Sequence, residues 1–411
     1  MHFENLNLIP QLLKALKEAG YRQPTPIQMQ AIPHLLQGRD LFGCAQTGTG
    51  KTAAFSIPLL QKLAEDYKKT GHVIRGLVLA PTRELASQIG DSLRTYGRHL
   101  SLQHAVIYGG VPQQQQTAAL RAGVDILIAT PGRLLDLIQQ GYISLQYIMV
   151  VVLDEADRML DMGFIHDIQK IIAMLPARRQ TVLFSATLPS SIRRLAFNTL
   201  SNPVHIELSS QQQYAENVKH SLYFVDRVNK HHLLHHILDQ DSPDRVLVFT
   251  RTRHGADKLV KALDREGIRS AALHGNKSQS QRQRTLHAFK GKKLRVLIAT
   301  DVASRGIDVE HISHVINFDM PETPETYVHR IGRTGRAGAH GLALSFCSGD
   351  ELHLLKDIHK HLRATIPVVT DHPFQSEKTT KQHLYGAGKN QRKRYSHTSH
   401  TKYSRNSPSS R

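Results

Sequence analysis

The sequence holds only two cysteines, Cys44 and Cys347, and no tryptophan in 411 residues. Two cysteines exclude a disulfide scaffold and fit a reducing compartment. No apolar run approaches the roughly 18–20 residues of a membrane-spanning helix, residues 147–153 being among the longest. The opening Met1-His2-Phe3-Glu4-Asn5 lacks the basic and apolar regions of a secretion signal. A cytoplasmic protein that does not enter a membrane is expected. Aromatic residues are only 6%, which argues against stacking as the main source of affinity for any partner. Acids are also scarce: 34 Asp and Glu against 53 Lys and Arg leave a net charge of +19. Such a surface favours a polyanion, nucleic acid first and an acidic membrane surface second.

What is present is enough apolar sequence, 40% of residues, to build two or three domains with real cores. Short aliphatic runs recur at 77–80, 125–129, 149–153 and 181–184, then at 245–249, 295–299, 314–317 and 342–346. Runs of this kind read as strands buried on both faces of parallel sheets, and the spacers are long enough for crossover helices. The fold class is α/β, with the pattern written twice: residues 1–208 and 217–369. The polar, aperiodic stretch 209–216 reads as a linker. The final 42 residues carry nine Lys or Arg against two acids, so 370–411 is expected to be a disordered basic tail. Its cluster Lys389-Asn390-Gln391-Arg392-Lys393-Arg394 suits a nucleic-acid anchor, with a merely solubilising role as the alternative.

Ala45-Gln46-Thr47-Gly48-Thr49-Gly50-Lys51-Thr52 follows an apolar stretch and precedes a helical one. Its glycines let backbone N–H groups converge on phosphate oxygens, Lys51 adds charge at the terminal phosphates, and Thr52 can hold Mg²⁺. About 100 residues later, Val150-Val151-Val152-Leu153 runs into Asp154-Glu155-Ala156-Asp157. Carboxylates at the C-terminal end of a buried strand stand where ligands bind in open α/β sheets. Asp154 would hold magnesium through its water shell, and Glu155 would orient and deprotonate an attacking water.

Further ordered segments complete the pattern. They are Gly20-Tyr21-Arg22-Gln23-Pro24-Thr25-Pro26-Ile27-Gln28, Pro81-Thr82-Arg83-Glu84-Leu85-Ala86, Gly109-Gly110, Thr130-Pro131-Gly132-Arg133 and Ser185-Ala186-Thr187. In the second half come His274-Gly275 with Gln279 and Arg282, Ala299-Thr300-Asp301 through Arg305-Gly306-Ile307-Asp308, and His329-Arg330-Ile331-Gly332-Arg333-Thr334-Gly335-Arg336. The set resembles the DEAD-box RNA helicases of superfamily 2 over residues 3–369, and within them the bacterial RhlE-like branch most.

The resemblance implies two tandem RecA-like domains, ATP and Mg²⁺ as cofactors and RNA as partner. It places the base against Tyr21, with Phe3 as buttress, and the nucleotide along Gln46, Thr47, Gly48, Thr49, Gly50, Lys51 and Thr52. It puts the ribose on Asp308 and implies coupling through Asp157, Ser185, Thr187 and His329. Arg83, Gly110, Thr130, Arg133, Gln279, Arg282 and Thr300 are the implied RNA-backbone contacts, a set with the right chemistry for phosphate and sugar. Gln28 carries a donor and an acceptor that match adenine; from spacing alone it is equally a polar residue at a helix start. Arg333 and Arg336 bracket Thr-Gly as planar donors for a phosphoryl group.

The activity expected is ATP-dependent RNA remodelling by local unwinding, with an ATP-gated RNA clamp as the alternative; a DNA-directed enzyme and a metabolic kinase are weaker rivals. Ribosomal precursors and RNA-decay proteins are candidate partners. His231, His232, His235 and His236 lie one helical turn apart, but no carboxylate completes a zinc motif and no metal centre is expected there. Gln113–Gln116 is expected to start a polar helix.

Overall fold

A computed structural model of the chain describes residues 2–45, 48–66, 73–208, 218–240, 243–301, 312–335 and 341–386. Of the positions singled out above, Gln46, Thr47, Asp308, Arg336, the linker and the chain beyond residue 386 lie outside the described residues.

The chain divides into two compact units. The first is built on β1 (Leu41–Cys44), β2 (Gly76–Leu79), β3 (His104–Ile107), β4 (Ile126–Ala129), β5 (Val150–Leu153), β6 (Gln180–Ser185) and β7 (Val204–Glu207). The second holds β8 (Val218–Phe224), β9 (Val246–Phe249), β10 (Ser270–Leu273), β11 (Val296–Ala299), β12 (His314–Asn317), β13 (Gly341–Cys347) and β14 (Val368–Val369). The strand orders are β3-β4-β2-β5-β6-β1-β7 and β10-β11-β9-β12-β13-β8-β14, the same order written twice. Every ladder among the described strands is parallel. In each unit the C-terminal strand ends therefore share one edge, where the loops that bind ligands in such sheets emerge.

Both faces of each sheet are covered. On β5, Val150 and Val152 enter one core with Phe55, Ile89 and Phe184, whereas Val151 and Leu153 enter another with Leu134, Ile168 and Ile192. Alternation of side chains across a strand requires this division, and it explains why the run is apolar without a break. In the second unit Val246, Val248, Val296 and Ile298 share a core with Leu233, Leu259 and Leu263. All eight anticipated strands are present, and Gln113 does open a helix, Gln113–Arg121.

The second unit reaches further along the chain than residue 369. Val225 bridges Gln375 in antiparallel fashion, the Ser376 N–H donates to Phe224 O at 2.9 Å, and its hydroxyl donates to Asp226 Oδ1 at 2.7 Å. A helix, Glu377–Gly386, follows, with Thr379 and His383 buried and the His383 ring 5.0 Å from that of Phe224. The expectation of disorder from residue 370 is thus corrected for 370–386. Both acids of the final 42 residues, Asp371 and Glu377, lie in this folded part, so residues 387–411 carry seven Lys or Arg and no acid.

Candidate functional site

The loop after β1 enters the helix Lys51–Glu65 through Gly48 and Gly50, both left-handed at φ 86° and 96°. A Cβ at Gly50 would also fall on the Gln28 amide, so glycine is required there twice over. Lys51 is buried, and its Nζ donates to Ala45 O at 2.6 Å, folding the ammonium back over the loop. Thr52 is half-buried one residue further on. Gln28 sits at the third position of the helix Pro26–Leu36 and completes a capping box with Thr25. Its Oε1 accepts from Thr25 N at 2.9 Å and its Nε2 donates to Gly50 O at 3.1 Å. Each amide atom keeps one further site, a lone pair and an N–H, for a ligand. Tyr21 is held between Phe3 and Tyr96 by edge-on ring contacts at 6.0 and 5.5 Å, and its hydroxyl meets that of Tyr96 at 2.6 Å.

Asp154 and Glu155 leave the end of β5 buried. Burial pushes the Asp154 carboxyl up to about 6 against the opposing pull of Lys51, and the neighbouring Glu155 carboxylate adds to the rise. Glu155 is left-handed at φ 51°, an uncommon backbone for a residue with a side chain. The Arg158 guanidinium, one turn along the helix Ala156–Asp161, donates to Glu155 Oε2 and fixes that carboxylate. Asp157 Oδ2 accepts from Ala186 N at 3.1 Å, Thr187 N at 2.9 Å and Thr187 Oγ1 at 2.9 Å. The Ser185 hydroxyl donates to Thr187 O at 2.6 Å. The acidic turn after β5 is thereby bonded to the Ser-Ala-Thr turn after β6.

In the second unit Arg330 is buried on the helix Pro324–Ile331. It forks onto Asp301, with Nε to Oδ1 at 2.6 Å and Nη2 to Oδ2 at 2.8 Å, while Nη1 reaches Asn317 Oδ1 at 3.1 Å and Asp319 O at 2.7 Å. Arg333 lies in the turn that ends this helix; its N–H donates to Arg330 O at 3.1 Å, and it is buried. Thr334 is anchored through its hydroxyl to Ile312 O. His329 is carried on the helix one residue before Arg330.

Two family models match the chain: DEAD/DEAH box helicase over residues 25–195 and Helicase conserved C-terminal domain over residues 229–338. The chain is 44% identical over 358 residues to the DEAD-box ATP-dependent RNA helicase CshA of Bacillus cereus, covering 87% of this chain and 67% of that one. It is 45% identical over 368 residues to the ATP-dependent RNA helicase DeaD of Escherichia coli, covering 89% of this chain and 58% of the relative. The chain belongs to the DEAD-box family of ATP-dependent RNA helicases. Among solved structures, S. cerevisiae Dbp5 bound to RNA and ADP BeF3 superposes with a TM-score of 0.81 at 31% identity, over 90% of this chain and 95% of that one. The curated relatives bear the names CshA and DeaD, so assignment to the RhlE-like branch stays an expectation.

On this DEAD-box chain the sheet order separates the two residue sets. In the first unit the phosphate-loop and acidic-turn candidates follow β1 and β5 and the coupling candidates Ser185 and Thr187 end or follow β6, while Arg83, Gly110, Thr130 and Arg133 follow β2, β3 and β4 on the other side of the edge. Gly110 is left-handed at φ 75°, and a Cβ there would fall on the Arg83 guanidinium. Thr130 precedes the helix Pro131–Gln139, on whose first turn Arg133 has Nη1 buried without a hydrogen-bond partner among the described residues. Thr300 follows β11, and Gln279 and Arg282 open the helix Gln279–Lys290 after β10. Those two strands hold the positions of β4 and β3 in the repeated order.

Sequence reasoning gave no role to Arg158, although its i, i+3 spacing from Glu155 on a short helix was a usable signal. Arg330 lies inside the His329–Arg336 segment, and its role is not legible there because its partner Asp301 is 29 positions away. The four histidines at 231–236 lie at the start of the helix Lys230–Gln240.

Proposed function

We propose that the chain hydrolyses ATP in response to RNA and uses the cycle to bind RNA backbone and separate short duplexes locally. The observation that carries this reading is the convergence of buried Lys51, Asp154 and Glu155 on the C-terminal edge of one sheet, with an RNA-competent set along the same edge. Lys51 and the Gly48–Gly50 backbone grip the phosphates, Tyr21 and Gln28 take the adenine, and Glu155, steadied by Arg158, orients and deprotonates the attacking water. Arg333 and Arg336 of the second unit stabilise the phosphoryl group as it transfers, and Asp308 takes the ribose.

A magnesium ion fits the donor set of the first unit, because the Thr52 hydroxyl and the buried Asp154 carboxylate, only partly offset by Lys51, are hard oxygen ligands suited to a hydrated cation. When bound, it would neutralise charge on the β- and γ-phosphates. The contact of Asp157 with Thr187 supports a coupling role for the acidic turn, with Ser185 and His329 as its further members.

RNA is held along its backbone by Arg83, Gly110, Thr130, Arg133, Gln279, Arg282 and Thr300, without base readout. The chain spans about two thirds of the CshA relative and 58% of DeaD, so a cellular role in ribosome assembly or RNA decay is a proposal to be tested in cells. The deciding experiment is a pair of assays on the full chain: ATP hydrolysis with RNA or with DNA of the same sequence, and strand release from a short RNA duplex. Stimulation by RNA alone together with strand release is expected. Binding with ATP but no strand release would favour the clamp, and stimulation by DNA would overturn the RNA assignment.

A further inference from the structure

One buried ion pair stands outside every role assigned so far. Lys230, at the start of the helix Lys230–Gln240, is 1% exposed, and its Nζ donates to Glu351 Oε2 at 2.6 Å. Neither residue belongs to the motifs above. Glu351 Oε2 also accepts from Ser348 N at 3.1 Å and from the Ser348 hydroxyl at 2.8 Å, closing a capping box, while further contacts of the pair converge on the turn that leaves β12. The Lys230 ammonium donates to Phe318 O at 2.8 Å and lies 3.7 Å from Asp319 Oδ1. Glu351 Oε1 accepts from Met320 N at 3.0 Å and from Arg251 Nη2 at 3.2 Å. Asp319 O, between them, accepts from Arg330 Nη1 at 2.7 Å, and Asp319 Oδ2 accepts from Arg251 N at 2.9 Å. Three successive residues, 318, 319 and 320, are thus held by their main-chain atoms through three side chains from three other segments.

A buried ion pair is a poor device for stability alone, because desolvation offsets most of its attraction and an apolar pair of similar volume often does as well. What an apolar pair cannot do is hold one carbonyl and one N–H of a turn at fixed positions. Arg330 is seated on that turn, on Asp301 and on Asn317, and the main chain of Arg330 bonds to that of Arg333.

We propose that Lys230 and Glu351 are positioning residues for Arg333: by fixing the 318–320 turn they fix the seat of Arg330 and so the turn that presents Arg333 to the phosphoryl group. The proposal rests on the functional reading above, in which Arg333 serves ATP hydrolysis. The pair acts on the transition state through position, since neither member reaches the nucleotide in this reading. Its removal should therefore lower kcat and leave ground-state ATP binding nearly unchanged.

The test uses the full chain with Lys230→Met combined with Glu351→Leu, a change that keeps the site filled and leaves no unpaired buried charge. Leu263→Ala, which opens a cavity in the second unit's core and removes none of the hydrogen bonds named above, serves as a control for lost stability. RNA-saturated kcat should fall on the order of 10²-fold in the double variant, as a misplaced group would cause, with KM for ATP within about threefold. The Leu263→Ala chain, assayed below its melting temperature, should keep its kcat. If the double variant melts below the assay temperature, Glu351→Gln alone is compared, with a loss of about tenfold in kcat at unchanged KM expected. Parent-like kcat in the folded variant, or an equal loss in the Leu263→Ala control, would overturn the positioning role. A parent chain without RNA-stimulated hydrolysis would instead sink the functional reading itself.

Discussion

The Gln28 side-chain amide donates to the Gly50 carbonyl at 3.1 Å while accepting from Thr25 N at 2.9 Å. The residue proposed above to read adenine is therefore also a strut of the loop after β1. In that reading, base recognition and loop geometry are joined through a single planar group, and a ligand that draws on its remaining N–H and lone pair also braces Gly50.

Gln28→Ala should weaken ATP binding about tenfold or more, by loss of a bidentate base contact of roughly 1–3 kcal/mol. It should also lower stability by about 1 kcal/mol through the broken capping box. Titration calorimetry with ATP and GTP checks the first point, since the ATP preference should shrink with the affinity. A variant that still prefers ATP would remove Gln28 from base recognition.

Asp154 should give the nucleotide-free protein a distinctive pH response. Its folded value near 6 lies above the ordinary carboxylate value of about 4. Between those values the folded chain holds a proton that the unfolded chain has released, so this group's contribution to stability falls as pH rises through the window and is fully unfavourable above about 6. Asp154→Asn should flatten this part of the melting-temperature profile between pH 4 and 6 and abolish ATP hydrolysis. Parallel profiles for parent and variant would contradict the burial of an ionisable group there.

Asp157→Ala leaves two N–H groups and a hydroxyl without their shared acceptor. With unsatisfied buried donors costing about 1–3 kcal/mol each and water able to reach some of them, a loss of roughly 2–4 kcal/mol in the first unit is expected. ATP affinity should change little while stimulation by RNA is lost. Urea denaturation and an RNA titration of the ATPase check the two halves separately.

The folded segment 370–386 makes truncation informative. Ending the chain after residue 386 should leave the second unit's melting unchanged and flatten the salt dependence of RNA binding, because seven Lys or Arg and no acid are removed. Ending it after residue 369 removes the Ser376, Thr379 and His383 contacts and should lower the melting temperature as well. Equal melting of the two truncated chains would show that the segment adds nothing to the fold.

Much of this architecture was legible because interior parallel strands must be apolar on both faces, as at residues 150–153 and 296–299, where no amphipathic ambiguity arises. The strands that escaped notice are mostly edge strands. His104–Ile107 buries only alternate residues, Val204–Glu207 buries only Ile206, and Val368–Val369 is two residues long. The segment 370–386 read as tail because it docks through Ser376, Thr379 and histidine rings in place of an apolar stripe. At the site, motif glycines and acids were readable from spacing, whereas Arg330 with Asp301 and Lys230 with Glu351 were not. Those pairs are 29 and 121 positions apart and meet only because the sheet order brings their loops to one edge.

The most direct test of the role proposed for the second unit is Arg333→Ala in the full chain, measured as RNA-stimulated ATP hydrolysis beside ATP affinity. Hydrolysis should fall about 10³-fold or more, the loss typical of a missing arginine finger, while ATP still binds the first unit with near-parent affinity. Undiminished RNA-stimulated turnover would show that the second unit lends no guanidinium to the reaction.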